Sequence, residues 1–261
     1  MAKLSALFSS SKANSILFSS SEGNILIDCG ASFKATNQAL ENLGIHVSDI
    51  SAVLITHEHS DHVKGLKTFT SKCNAPVIST SKTLEKLAEN ENVCKNAKLI
   101  AIENSLEICG LQITRFQTSH DSIDPSGYRI DLSDGRKAAV CTDLGIVTET
   151  VRNSLCGCNA VLIESNHDIK MLQNGPYPPE LKMRIASEKG HISNNACAAL
   201  LKELIGTGSN RFILGHLSEN NNTPILAQAA NEAALMDVGA KNGEDYILKV
   251  ASPTKTETVY F

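Results

Sequence analysis

The sequence predicts an α/β protein in which two sheets face each other with helices on the outside. Short strand-like runs recur along the chain with helical segments between them, and the second half repeats the style of the first. Apolar residues make up 42% and charged residues 20%, a balance that can fill a large core. A chain of 261 residues suits one large α/β unit, so a single domain over residues 1–261 is expected.

The elements follow in order. Leu4–Phe8, Ser15–Ser19 and Asn24–Asp28 read as a three-strand meander, and Phe33–Leu43 has apolar residues at helical spacing. Ala52–Ile55 is a short buried strand whose apolar run stops at Thr56-His57. Pro76–Ser79 is another strand, followed by a polar helix from Ser81 to about Asn90. Lys98–Ile102, Leu106–Ile108 and Leu111–Gln117 read as paired strands. Tyr128–Leu132 and Lys137–Cys141 form a hairpin about Ser133-Asp134-Gly135. Ala160–Glu164 is a strand, Asn195–Leu204 an amphipathic helix capped by Ser193, and Arg211–Leu214 a strand ending at Gly215-His216. Thr223-Pro224 opens a further helix. Met171–Pro179, with three prolines and a glycine, reads as a loop, either an active-site flap or a plain surface loop.

Bulk properties narrow the function. The net charge is −4 and the isoelectric point near 6.1, so no basic stripe advertises a nucleic-acid partner. Contact with phosphates would have to come from a local patch or from bound metal. The first twenty residues are interrupted by Ser11, Lys12 and Asn14 before a signal-length apolar core builds up, and no apolar run is long enough to span a membrane. A cytoplasmic protein with reduced thiols at its eight cysteines is therefore expected. Cys156-Gly-Cys158 lacks a second pair at zinc-site spacing.

The chemistry concentrates in Thr56-His57-Glu58-His59-Ser60-Asp61-His62, directly after a buried strand. The sheet fixes the backbone there, while the loop beyond is free to fold around an ion. His57 and His59 can turn to one metal, and Asp61 and His62 can reach a second; imidazole and carboxylate together accept zinc or manganese. One loop cannot fill two sites. Three further candidates stand at strand ends: His120, Asp143 and His216. Each alone would be an ordinary loop residue; the ordered set is what argues for ligands.

That order resembles the motif set of the metallo-β-lactamase superfamily, and Asp28, at the end of its strand, is similar to that superfamily's first motif. The resemblance runs from about Leu4 to His216. It implies a four-layer αββα sandwich with two divalent metal ions, zinc or manganese, along one edge of the sheets. It implies further that His57, His59 and His120 bind one ion, that Asp61, His62 and His216 bind the other, that Asp143 bridges them, and that Asp28 braces the histidine loop. Two metals about 3.5–4 Å apart would hold a hydroxide for hydrolysis. Asp61 would take a proton from the water. No cysteine stands at the bridging place, since Cys141 lies two residues before Asp143.

Lys189-Gly190-His191-Ile192-Ser193-Asn194 is similar to the segment of ribonuclease Z whose histidine protonates the leaving oxygen, and Glu164 stands where that family keeps a supporting glutamate. The poor alkoxide leaving group of a phosphodiester needs such an acid. The chain resembles the bacterial WalJ/YycJ group, through the histidine motif, Glu164-Ser165-Asn166-His167-Asp168, Asn174-Gly175-Pro176-Tyr177-Pro178, Gly190-His191-Ile192-Ser193-Asn194 and Gly215-His216-Leu217-Ser218. That resemblance implies a 5′→3′ DNA exonuclease acting on single-stranded ends, with catalytic Asp61, His191 and Glu164. It also implies substrate contacts at Asn166, His167, Tyr177 and Asn194. His167 reads equally well as a supporting or solvated residue, and Tyr177 as a loop tyrosine or a base-stacking one.

One departure from the group is the turn Ser9–Ser15, which contains no glycine where the group is glycine-rich, so its backbone conformation is an open question. The stretch from Asp143 to His216 leaves no room for an inserted clamp domain, so the hydrolase domain itself would hold substrate. Two other readings stand: a hydrolase of thioesters, lactones or small cyclic phosphodiesters, favoured by the low basic charge, and a non-catalytic binding protein, disfavoured because no ligand is missing.

Overall fold

A computed structural model describes residues Met1 to Phe261. The strands are β1 (Lys3–Ser10), β2 (Ala13–Ser19), β3 (Asn24–Ile27), β4 (Ile50–Leu54), β5 (Val77–Ser79) and β6 (Leu99–Ala101) in one sheet. The second sheet holds β7 (Ser105–Ile108), β8 (Leu111–Gln117), β9 (Ser126–Asp131), β10 (Lys137–Cys141), β11 (Ala160–Glu164), β12 (Arg211–Gly215) and β13 (Ile247–Val250). The last strand, β14 (Glu257–Tyr260), returns to the first sheet beside β1. The spatial orders are β14-β1-β2-β3-β4-β5-β6 and β13-β12-β11-β10-β9-β8-β7.

Each sheet changes character halfway. Strands β14 to β3 and β7 to β10 run antiparallel to their neighbours, whereas β3 to β6 and β10 to β13 run parallel. The parallel strands are near-continuous apolar runs, as burial on both faces demands; β11, Ala-Val-Leu-Ile-Glu, is buried at every position. Their outer faces are covered by helices. Those on the first sheet are α1 (Phe33–Asn42), α2 (Ser60–Val63), α3 (Leu66–Lys72) and α4 (Ser81–Glu89). The remaining five are α5 (Glu149–Leu155), α6 (Ile169–Asn174), α7 (Pro179–Ile185), α8 (Asn194–Ile205) and α9 (Pro224–Asp237). No helix is long and apolar enough to cross a membrane.

Three cores result. The central one lies between the sheets and takes Leu4, Ile16, Phe18 and Leu54 from one side and Ile113, Tyr128, Val140 and Leu162 from the other. Leu26, Val53, Phe69 and Leu87 fill the core between the first sheet and its helices, and Ile163, Leu201, Phe212 and Leu235 fill its counterpart on the second. This is the expected αββα sandwich. The buried Tyr128 hydroxyl stitches the two sheets by donating to the Ile55 carbonyl at 2.7 Å.

Several expectations need correction. Leu99–Ala101 pairs with β5 of the first sheet, and only Ser105–Ile108 pairs with β8; the chain changes sheets between them, which a run of similar strands does not reveal. Met171–Pro179 is not one loop. Asp168 caps α6 by accepting from the Met171 amide, so Met171–Asn174 is helical, and Pro179 begins α7. A proline that opens a helix had been counted with the loop. The glycine-free turn after β1 needs no glycine, because no residue between Ser9 and Ser15 has a positive φ. By contrast, Gly135 in the β9–β10 hairpin sits at φ 88°, as that turn requires.

Candidate metal centre

The parallel halves direct the C-terminal ends of β3, β4, β10, β11 and β12 to one edge of the sandwich. There the chain must turn sharply, and it does so with residues in the left-handed region: Asp28 at φ 59°, Asp143 at 56° and His216 at 54°. Asp and His tolerate this conformation better than branched residues do. Such strain costs on the order of 1–3 kcal/mol per residue. A single buried Leu, Ile or Phe contributes about as much, so the three cores easily hold the turns in place.

The left-handed turns swing the side chains of Asp143 and His216 into the cleft, where they meet the loop after β4. Donor atoms of His57, His59 and His120 lie within 4.8 Å of one another; so do those of Asp61, His62 and His216, and those of His57, His62 and Asp143. Asp143 stands between the groups, with Oδ2 3.1 Å from His62 Nε2 and Oδ1 3.6 and 3.5 Å from the Nε2 atoms of His120 and His216. All seven residues expected as ligands thus converge.

Two observations test whether this cluster suits metal. His57 Nε2, His216 Nε2 and Asp143 Oδ2 are buried with no hydrogen-bond partner, a cost that three neighbouring polar atoms would not bear without a cation to coordinate. The electrostatics agree. Burial works against the charged forms of His62 and His216, yet the carboxylates around them, Asp143 first, hold both imidazoles well above the usual range. Burial likewise opposes ionisation of Asp61 and Asp143, and the surrounding imidazoles outweigh it, keeping both carboxyls far below normal. His57, fully enclosed and facing His62, is pushed well down by burial and by that charge. The site demands positive charge, and its nitrogen and oxygen donors fit a divalent ion.

Behind this histidine and aspartate cluster stand two carboxylates. Asp28 Oδ1 accepts from the Thr56 amide at 2.9 Å; Oδ2 accepts from the Thr56 hydroxyl at 2.8 Å and lies 2.7 Å from His62 Nδ1. Glu164 Oε1 lies 2.8 Å from both His191 Nδ1 and His216 Nδ1, while Oε2 accepts from the amides of Leu144 and Ile192. Burial opposes the charge of Glu164, but His191 and His216 hold its carboxyl down, to about 2. The pairing of Glu164 with His191 was expected; its simultaneous hold on His216 was not.

Asn14 was missed altogether. From the end of the β1–β2 turn its Nδ2 lies 3.1 Å from Asp61 Oδ2 and 3.2 Å from His62 Nε2, while its Oδ1 accepts from the Ser10 amide. Ser9 Oγ accepts from the His216 amide at 2.8 Å. Neither belongs to a metal-ligand spacing, so only contact across the fold reveals them. Gly30 explains why that turn packs so closely: an added Cβ would lie 1.7 Å from the Asp61 carbonyl oxygen and 2.8 Å from the Asn14 nitrogen.

The residues expected to touch substrate divide. Asn166 Nδ2 donates to the His216 carbonyl at 2.9 Å and so braces a cluster residue. Asn194 is buried, accepting from Ser165 and Asn222 and donating to Asn222, which leaves it behind the centre. Tyr177 is half-buried and its hydroxyl accepts from Asn220. His167 is buried, but its Nδ1 has no partner. All eight cysteines are free. Cys156 and Cys158 join no donor cluster, and Cys141 points into the outer core, its thiol pushed up by burial.

Residues 23–217 match the model of the β-lactamase superfamily domain, and the chain belongs to this superfamily of metal-dependent hydrolases. Within it the chain falls in the WalJ/YycJ-type group. It is 33% identical over 251 residues to exodeoxyribonuclease YycJ of Bacillus anthracis, covering 95% of each chain. To exodeoxyribonuclease WalJ of Streptococcus pneumoniae it is 31% identical over 257 residues, covering 96% of this chain and 94% of that one. Among solved structures, Zn²⁺-bound PqqB of Methylobacterium extorquens shares the fold, with a TM-score of 0.70 at 20% identity over 98% of this chain and 99% of that one.

Proposed function

We propose that this protein is a phosphodiesterase of one hydrolase domain, residues 1–261, that binds two divalent ions and removes nucleotides from the 5′ end of single-stranded DNA in the cytoplasm. The observation that carries the reading is the shared Glu164 oxygen, 2.8 Å from the rings of His191 and His216. It couples a cluster histidine to a second imidazole that is available to a leaving group. The names of the two full-length relatives, both exodeoxyribonucleases, support DNA as substrate.

In this reading His57, His59 and His120 hold one ion, Asp61, His62 and His216 hold the other, and Asp143 serves both. Zinc or manganese bound there would polarise the phosphoryl group and ease deprotonation of water. Asp61, hydrogen-bonded by Asn14, accepts a proton from the attacking water. Glu164 fixes the His191 ring through Nδ1, so that Nε2 faces the leaving oxygen and supplies its proton. Asp28 and Asn166 keep His62 and His216 in register.

The test is digestion of end-labelled single-stranded DNA by metal-stripped protein with Mn²⁺ or Zn²⁺ restored, beside Asp61→Ala. Release of nucleotides from the 5′ end, absent in the variant, is the expected result. Metal binding without cleavage of DNA would instead favour a small phosphodiester, thioester or lactone, the reading to which the net charge of −4 points.

A further inference from the structure

Beside His191 lies a pocket of about 520 Å³ that the chemistry above does not use. Ile146, Val147, Ile169, Leu172, Ile192 and Ala196 form its mostly apolar wall. His191 stands between the two spaces, its ring centroid 5.1 Å from those of both His120 and His216. His167 also lines the pocket. His167 is 4% exposed, its backbone is pinned by the Asn194 amide at 2.8 Å and a bridge to Ser193, and its Nδ1 is buried without a partner.

We propose that this pocket holds the nucleobase of the 5′-terminal nucleotide and so makes the enzyme act one nucleotide at a time. The proposal rests on the nuclease reading above. Water adds to phosphorus, the bond from phosphorus to the terminal nucleotide's 3′ oxygen breaks, and that oxygen takes the proton of His191. The nucleoside that leaves is thus the one attached beside His191, which is where the pocket opens. Its volume is in the range that encloses one small ligand. An apolar wall accepts the face of any base.

The experiment compares two single-stranded oligonucleotides, identical except that one carries a normal 5′-terminal nucleotide and the other an abasic tetrahydrofuran residue. The Mn²⁺-loaded protein is assayed for kcat/KM on both. The normal terminus is expected to be favoured by roughly 10-fold or more. Ala196→Phe, which fills the pocket, is expected to abolish most of that preference. Ile169→Ala, at a residue 41% exposed whose loss spares the fold, should weaken the preference by a few-fold, roughly. Equal rates on the two termini, or a preference that survives Ala196→Phe, would overturn the proposal. Failure to cleave either strand would remove the nuclease reading itself, a different result from cleavage without preference.

Discussion

The two carboxylates behind the metal-ligand cluster occupy comparable places and do different work. Asp28, at the end of β3 in the first sheet, is consumed locally: its two oxygens hold the Thr56 amide, the Thr56 hydroxyl and one imidazole, His62. Glu164, at the end of β11 in the second sheet, uses one oxygen on backbone amides and places the other between two imidazoles. Both donate to one group with Asp143 and Glu164, and His191 also lines the neighbouring pocket. The first carboxylate therefore fixes a loop, and the second joins two imidazoles, one of which also lines the neighbouring pocket. The longer glutamate side chain makes the double contact possible.

The largest effect should come from Glu164→Gln. It weakens the hold on both histidines, so turnover should fall by roughly 10³-fold and metal content should drop as well. Metal analysis and kinetics on the same sample check both; a variant that lost turnover but kept its metal unchanged would break the claim that Glu164 serves both imidazoles. His191→Ala should reduce turnover by about 10²-fold with metal content unchanged, and a p-nitrophenyl phosphodiester, whose leaving group needs no proton, should be largely spared. Asp28→Asn should weaken metal affinity by roughly 10-fold, measured by competition with a chelating dye, while activity returns at saturating metal.

A pH series sharpens the same contrast. His62 and His216 are held above the usual imidazole range in the metal-free protein, so both carry protons at neutral pH that an incoming ion must displace. Apparent metal affinity should therefore rise with pH and fall on acidification, with proton release on binding detectable by calorimetry in buffers of different ionisation heat. A pH-independent affinity would contradict this. The smallest change is expected for Asn14→Ala, which removes a bridge to Asp61 and His62 and should lower thermal stability by about 1 kcal/mol while leaving the metal content intact.

How much of this was legible beforehand differs by residue. The histidine loop after β4 announced itself because titratable side chains are dense there and follow a buried strand. His120, Asp143 and His216 were legible as strand-end residues in a known order. Asn14 and Ser9 were not, since an asparagine and a serine in a polar turn have no distinguishing spacing. Met171–Asn174 was misread because local composition carried more weight than the Asp168 cap. Leu99–Ala101 was misassigned because strand pattern carries no information about which sheet receives the strand.

By itself, the sequence determined the alternation of strands and helices, the apolar runs that had to be buried on both faces, and the residue types gathered in the candidate metal centre, because periodicity and side-chain type are local properties. Only the tertiary structure decided that one glutamate oxygen serves two imidazoles, that a turn at the start of the chain touches Asp61, and that an apolar pocket with an unpaired histidine lies beside His191. Those are distances between residues far apart along the chain. They are set by how the two sheets pack and by where their strands end, and no single segment carries that information.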